Sequence, residues 1–178
     1  VLFLCVSCSS AKLRLPPNSR TTNYENALLE ASRISKKYVE FETQIFAKAT
    51  VYSENFTKNL QSELANLYGS KLPDGAIELN RSKNCTIFIS ITTPIYEEAN
   101  INHKENALEI VAEQEGNEFA YDLIDKQIED NAVIREFFPY VSNWSMNYFV
   151  EFKKLDCNKL INLFINSPKA RLELTLND

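Results

Sequence analysis

Between Val39 and Tyr52 the chain alternates with a period of two. Val39, Phe41, Thr43, Ile45, Ala47, Ala49 and Val51 interleave with Glu40, Glu42, Gln44, Phe46, Lys48, Thr50 and Tyr52. The first set is mostly apolar and the second mostly polar, the pattern of a long strand that buries one face. A helix over the same residues would set Glu40 and Gln44 beside Phe41 and Ile45 on an incoherent face. The strand then runs directly into a helical signal. Ser53 is an N-cap, Phe56, Leu60, Leu64 and Leu67 recur at helical spacing, and Gly69 is a stop. A strand leading straight into a capped helix limits the chain to a mixed fold.

The second half is punctuated as β structure. Thr86–Thr93 is rich in Ile, Phe and Thr and ends at Pro94. Residues 107–113 and 118–124 flank Gln114-Glu115-Gly116-Asn117, a hairpin signal. Met146–Phe152 is a further strand introduced by Phe137-Phe138-Pro139-Tyr140. Residues 159–166 and 170–176 surround Asn166-Ser167-Pro168-Lys169, a second hairpin. Before the long strand, Asn23 is positioned to cap a helix over 24–35, where Ala27, Leu28, Ala31 and Ile34 recur. Residues 70–83 read as a loop around Pro73-Asp74-Gly75. The expected class is mainly β with helical insertions (α+β). The expected architecture is an antiparallel sandwich of six or seven strands, immunoglobulin-like, with a helix after the first long strand.

With 178 residues and 44% hydrophobic content, one domain with a sizeable core is expected over 24–178. The net charge of −5 gives no basic footprint, so a nucleic-acid partner is not expected. Three glycines in all, Gly69, Gly75 and Gly116, cannot build a P-loop or a dinucleotide fingerprint. His103 is the single histidine and lies in a polar stretch. No GxSxG, HExxH or EF-hand spacing accompanies it, so no triad, metal site or cofactor is expected. Acids at Glu97, Glu98, Asp122, Asp125, Glu129 and Asp130 leave a carboxylate-based hydrolase as the weakest functional reading.

Residues 1–8 read VLFLCVSC, an apolar run ending in small residues around Cys8. The run is far below the ~20 residues needed to cross a bilayer, which speaks against a retained transmembrane helix. Cys5-Val6-Ser7-Cys8 resembles a lipobox, with Cys5 standing where Leu is usual. That resemblance implies lipid attachment at Cys8, a tether over 9–23 and placement in a bacterial cell envelope, periplasmic or outer-membrane, or secretion. The membrane is then a partner through the lipid. Cys85 and Cys157 form a lone pair inside the domain. Their spacing leaves open both one disulfide and two separate buried thiols.

Two stretches carry a wider resemblance. Ala47–Phe56 is a strand entering a capped helix, and Phe137–Phe152 is an aromatic-rich loop leading into a strand. In this order they resemble an uncharacterised family of predicted bacterial lipoproteins and secreted proteins, over roughly residues 24–176. The resemblance implies envelope placement and carries no catalytic signature. Most of the aromatic stretch reads as core between the sheets, while Tyr140 and Trp144, among Ser142, Asn143 and Ser145, read as its exposed members. The leading expectation is a non-enzymatic, lipid-anchored domain that binds another envelope protein or supports the envelope. A carbohydrate- or peptide-binding module using the Tyr140–Trp144 loop is the alternative.

Overall fold

The structure is a computed structural model that describes residues 11–12, 20–39, 42–77, 79, 81, 84–101, 108–127, 132–167 and 170–177. Its first sheet comprises β1 (Ala11–Lys12), β2 (Ser32–Val39), β3 (Glu42–Val51), β4 (Cys85–Thr92), β8 (Met146–Phe152) and β7 (Leu123–Gln127), in that spatial order. The second sheet comprises β10 (Arg171–Leu176), β9 (Ile161–Asn166), β5 (Glu109–Gln114) and β6 (Asn117–Ala120). Every pairing is antiparallel. Four helices complete the described residues: α1 (Thr22–Ala31), α2 (Glu54–Tyr68), α3 (Asp74–Ile77) and α4 (Ala132–Phe137), with a 3-10 turn at Tyr96–Ala99. The mainly β, two-sheet architecture matches the expectation from sequence. The strands are more numerous than six or seven. The meander β1-β2-β3-β4, closed by β8 and β7, also differs from the interleaved order of an immunoglobulin sandwich.

The layers follow from strand alternation. Ile45, Ala47, Ala49 and Val51 of β3 are fully buried on one face, as the period of two predicts. Register places Ile87, Ile89 and Ile91 of β4, and Met146, Tyr148 and Val150 of β8, on that same face. β10 packs against β2 and β3, so this face meets the second sheet, whose buried Leu172, Leu174, Leu163 and Ile165 make an aliphatic seam. The opposite face of the first sheet carries Tyr52, Phe88 and Phe149, and these meet aromatic residues from the helices. Phe88 stacks on Phe138 at 4.1 Å. Tyr52 meets Phe56 and Phe149 edge-on at 5.2 and 6.0 Å, and Tyr24 meets Phe137 edge-on at 5.7 Å. Phe138 and Phe149 therefore fill a helix–sheet layer rather than the space between the sheets.

Local signals hold where cap and period coincide. Ser53 caps α2, its Oγ accepting from the Phe56 N–H, and Gly69 (φ 63°) ends the helix with its N–H on the Ala65 carbonyl. The β5–β6 turn has Glu115 and Gly116 both at positive φ, as a primed hairpin turn requires. Three readings are corrected. α1 is capped by Thr21, not Asn23, and it ends at Ala31. The residues after it form β2, paired from Ser32↔Thr50 to Val39↔Glu42. Leu67 is 45% exposed, and Glu63 occupies the buried side of α2 instead. The single strand expected over 118–124 is two, β6 and β7, in different sheets, and residues 132–137 form a helix that the local pattern did not mark.

Glu63 is tolerated because its charge is met. Its carboxylate accepts from the Thr21 hydroxyl at 2.6 Å and lies 3.9 Å from Arg20, whose side chain is also buried. Arg20 in turn pairs with Glu136 at 2.6 Å and covers the Phe137 ring at 4.6 Å. The stretch read as a tether thus supplies β1 and the Arg20–Thr21 clamp that joins α1, α2 and α4.

Candidate functional site

β2, β4 and β7 run in one direction in the first sheet, and β3 and β8 run in the other. The sheet therefore has two chemically different ends. One gathers Tyr52, Cys85 and Phe152. The other gathers Tyr38, Thr92 and Met146.

At the first end lies a cleft of about 700 Å³. Its walls are the first two turns of α2 (Glu54, Thr57, Lys58, Gln61), the approach to β4 (Arg81, Asn84, Cys85) and the crossover Leu155–Asn158 between the sheets. Cys85 and Cys157 are joined by a disulfide, with Cα atoms 5.0 Å apart, which resolves the pairing that spacing left open. The crossover is also held by polar contacts. Asn158 Oδ1 accepts from the Glu54 N–H at 2.8 Å, and buried Gln114 bridges the Asp156 N–H and carbonyl at 3.0 and 2.9 Å. Asn177 donates to the Cys157 carbonyl. A wall fixed in this way needs little ordering on binding.

The charges around the cleft are of both signs. Arg81 is committed to Glu151 at 3.0 Å and to Asp125, and it lies over the Phe149 ring. Lys58 and Asp156 both line the cleft. Tyr52 also lines the cleft. It is 95% buried (5% exposed), and its hydroxyl has no hydrogen-bond partner among the described residues. Burial pushes this phenol well above its ordinary range, and nearby Tyr140 adds to the shift, so it stays a neutral donor.

The sequence-predicted aromatic pair separates. Tyr140 is buried, not exposed. Its hydroxyl lies 2.5 Å from Thr50 Oγ1, which is itself 2.6 Å from Ser32 Oγ, so it closes a hydroxyl chain under the helix layer. Lys48 Nζ lies 5.7 Å from the centre of the Tyr140 ring and donates to the Tyr140 carbonyl. Trp144 is 76% exposed. Its turn is rigid: the Ser145 N–H and Oγ both reach the Ser142 carbonyl, and the Trp144 N–H reaches Ser142 Oγ. The two residues do not form one site.

Two of the acids considered for hydrolysis are engaged with basic residues. Asp122 holds the Lys153 N–H at 2.7 Å, and Asp125 pairs with Arg81. Glu129, Asp130, His103 and Cys8 lie outside the described residues. No group of three or more metal-ligating side chains occurs among the described residues. No described helix is long and apolar enough to cross a membrane. The cleft escaped sequence reasoning because its walls come from residues 52–61, 81–85 and 155–158, joined only by folding. The unpaired Cys85–Cys157 spacing was its one visible trace.

No protein-family model, curated protein or solved structure matches the chain.

Proposed function

We infer that this chain is an exported domain, held at a bacterial envelope by lipid at Cys8, that works by binding another envelope protein rather than by catalysis. The cleft beside the disulfide is its binding site, and the partner presents a polar segment of mixed charge. The observation that carries this reading is the cleft of about 700 Å³, lined by Lys58 and Asp156 and braced by the Cys85–Cys157 disulfide and the polar contacts of the crossover. The disulfide supports folding in an oxidising compartment, since such bonds are rare where thiols are kept reduced. The lipobox-like Cys5–Cys8 supports the anchor. The reading of a sugar or peptide module at Tyr140–Trp144 loses one of its two residues to the interior.

The test places a photo-crosslinking residue at Gln61 in the cleft, and a control at Glu173 on the outer face of β10, in the native envelope. The expected result is one discrete protein adduct from position 61. It should be lost on Asp156→Lys and weakened on Lys58→Glu, with thermal stability retained. Equal adducts from both positions, or adducts indifferent to Asp156→Lys, would sink the reading. Mass spectrometry of the mature N-terminus tests the anchor separately, and an unmodified Cys8 removes it.

A further inference from the structure

The disulfide lies where a reagent can reach it. Cys85 and Cys157 both line the cleft, and they keep 6% and 9% of their surface exposed. A cleft of about 700 Å³ has the size of a small-molecule site, so a thiol reagent fits inside it.

The crossover is also held by contacts that the disulfide does not supply. Gln114 grips the Asp156 N–H and carbonyl, and Asn158 Oδ1 accepts from the Glu54 N–H. Within the turn, the Lys159 N–H donates to the Asp156 carbonyl at 3.1 Å, and the Asn158 N–H donates to Asp156 Oδ1 at 3.0 Å. Cys85 is fixed independently, because it opens β4 and pairs with Phe152 of β8. Opening the Sγ–Sγ bond therefore lowers stability but leaves both cysteines in the cleft wall.

The reduced state has an acceptor in place. Cys157 Sγ lies 3.6 Å from the Thr86 carbonyl. That carbonyl already accepts from the Tyr52 N–H at 2.9 Å, and a carbonyl oxygen has a second lone pair to offer. A disulfide sulfur has no proton to donate, whereas a thiol has one. Reduction thus creates the donor that Thr86 is positioned to receive.

We propose that Cys85–Cys157 is a redox-active bond that exchanges, through the cleft, with a dithiol. A thiolate of the dithiol attacks Cys85 Sγ, forming a mixed disulfide there. The Cys85–Cys157 bond breaks, and Cys157 leaves as a thiolate that takes up a proton and donates it to the Thr86 carbonyl as a hydrogen bond. The second thiol of the reagent loses its proton and displaces Cys85, which is protonated in turn. The chain gains two electrons and two protons, and the dithiol departs as a disulfide. The exchange is stoichiometric, one dithiol per bond. It adds to the binding reading and does not rest on it.

The full chain carrying Cys5→Ser and Cys8→Ser has this pair as its only cysteines. Dithiothreitol without denaturant is the probe, and maleimide trapping with mass spectrometry counts the thiols released. Reduction should proceed at a rate proportional to dithiothreitol concentration, with the far-ultraviolet dichroism unchanged. Gln61→Trp, which fills the cleft from an exposed position on α2, should slow it about ten-fold by blocking access. Ser62→Trp, exposed on the same helix but outside the cleft lining, should not. A rate that levels off at the global unfolding rate overturns the proposal, because the reagent then meets the bond only in the unfolded chain. Loss of dichroism on reduction also overturns it, as does a Gln61→Trp rate equal to that of Ser62→Trp. The concentration dependence needs no cleft variant, so it decides even where Gln61→Trp fails to fold. An unreactive bond in a chain that still gives the position-61 adduct removes the exchange and leaves the binding reading. A reactive bond without that adduct does the reverse.

Discussion

Replacing Cys85 and Cys157 by alanine tests what the crossover disulfide does for stability. The two residues are 72 apart in sequence, so the bond closes a long loop in the unfolded chain. For that length the chain-entropy relation gives about 15 cal/mol/K, or about 4.4 kcal/mol at 25 °C. In a protein of this size each kcal/mol moves the midpoint by about 2–4 °C, so the melting temperature should fall by about 9–18 °C. The effect acts on the unfolded state. Cys85→Ala, Cys157→Ala and the double variant should therefore lose nearly the same stability, because each removes the same cross-link. Urea unfolding followed by far-ultraviolet circular dichroism measures the loss, and non-reducing peptide mapping verifies the bond in the parent. A verified bond with a loss below about 1 kcal/mol would refute the loop-entropy reasoning. Two additive single losses would instead make side-chain burial the cause.

Three further outcomes follow from particular contacts. Glu63→Gln keeps the shape of the α1–α2 clamp but removes the charge that Thr21 and Arg20 address, and it should lower stability by about 2 kcal/mol in urea titration. At Glu136, burial acts to raise the pKa, but hydrogen bonds from Tyr68 and Arg20 and the Arg20 charge outweigh it and hold the carboxyl below its ordinary value. Its contribution is therefore present above the unfolded carboxylate pKa and is lost as pH falls through the depressed folded one. Glu136→Gln should flatten that acid limb, with a smaller effect at high salt because the side chain is 42% exposed. Because Trp144 already faces water, urea unfolding should leave its emission maximum nearly unchanged while the dichroism transition proceeds. A large red shift would show the ring to be buried.

How much was legible depends on the range of the signal. The strand Met146–Phe152, the Ser53–Gly69 bounds of α2 and the hairpin turn at Glu115-Gly116 were all readable, because caps, turns and a period of two are written in neighbouring residues. So was the buried face of β3. What depends on distant partners was not. Residues 32–35 continue a helix-compatible spacing, and only the ladder offered by β3 turns them into β2. Tyr140 and Trp144 share a polar loop and look alike in sequence. Thr50 and Ser32, far away along the chain, draw one ring inside, while the Ser142–Ser145 turn holds the other out. Glu63 reads as a surface residue until Arg20 and Thr21 fold over it. By itself the sequence determined a mainly β chain with two capped helices and a pair of cysteines of open fate. The tertiary structure alone decided that these cysteines join and form part of the cleft, and that Tyr140 is drawn inside while Trp144 stays in water. The physical reason is that hydrogen-bond ladders and side-chain packing bring together residues that no local pattern relates.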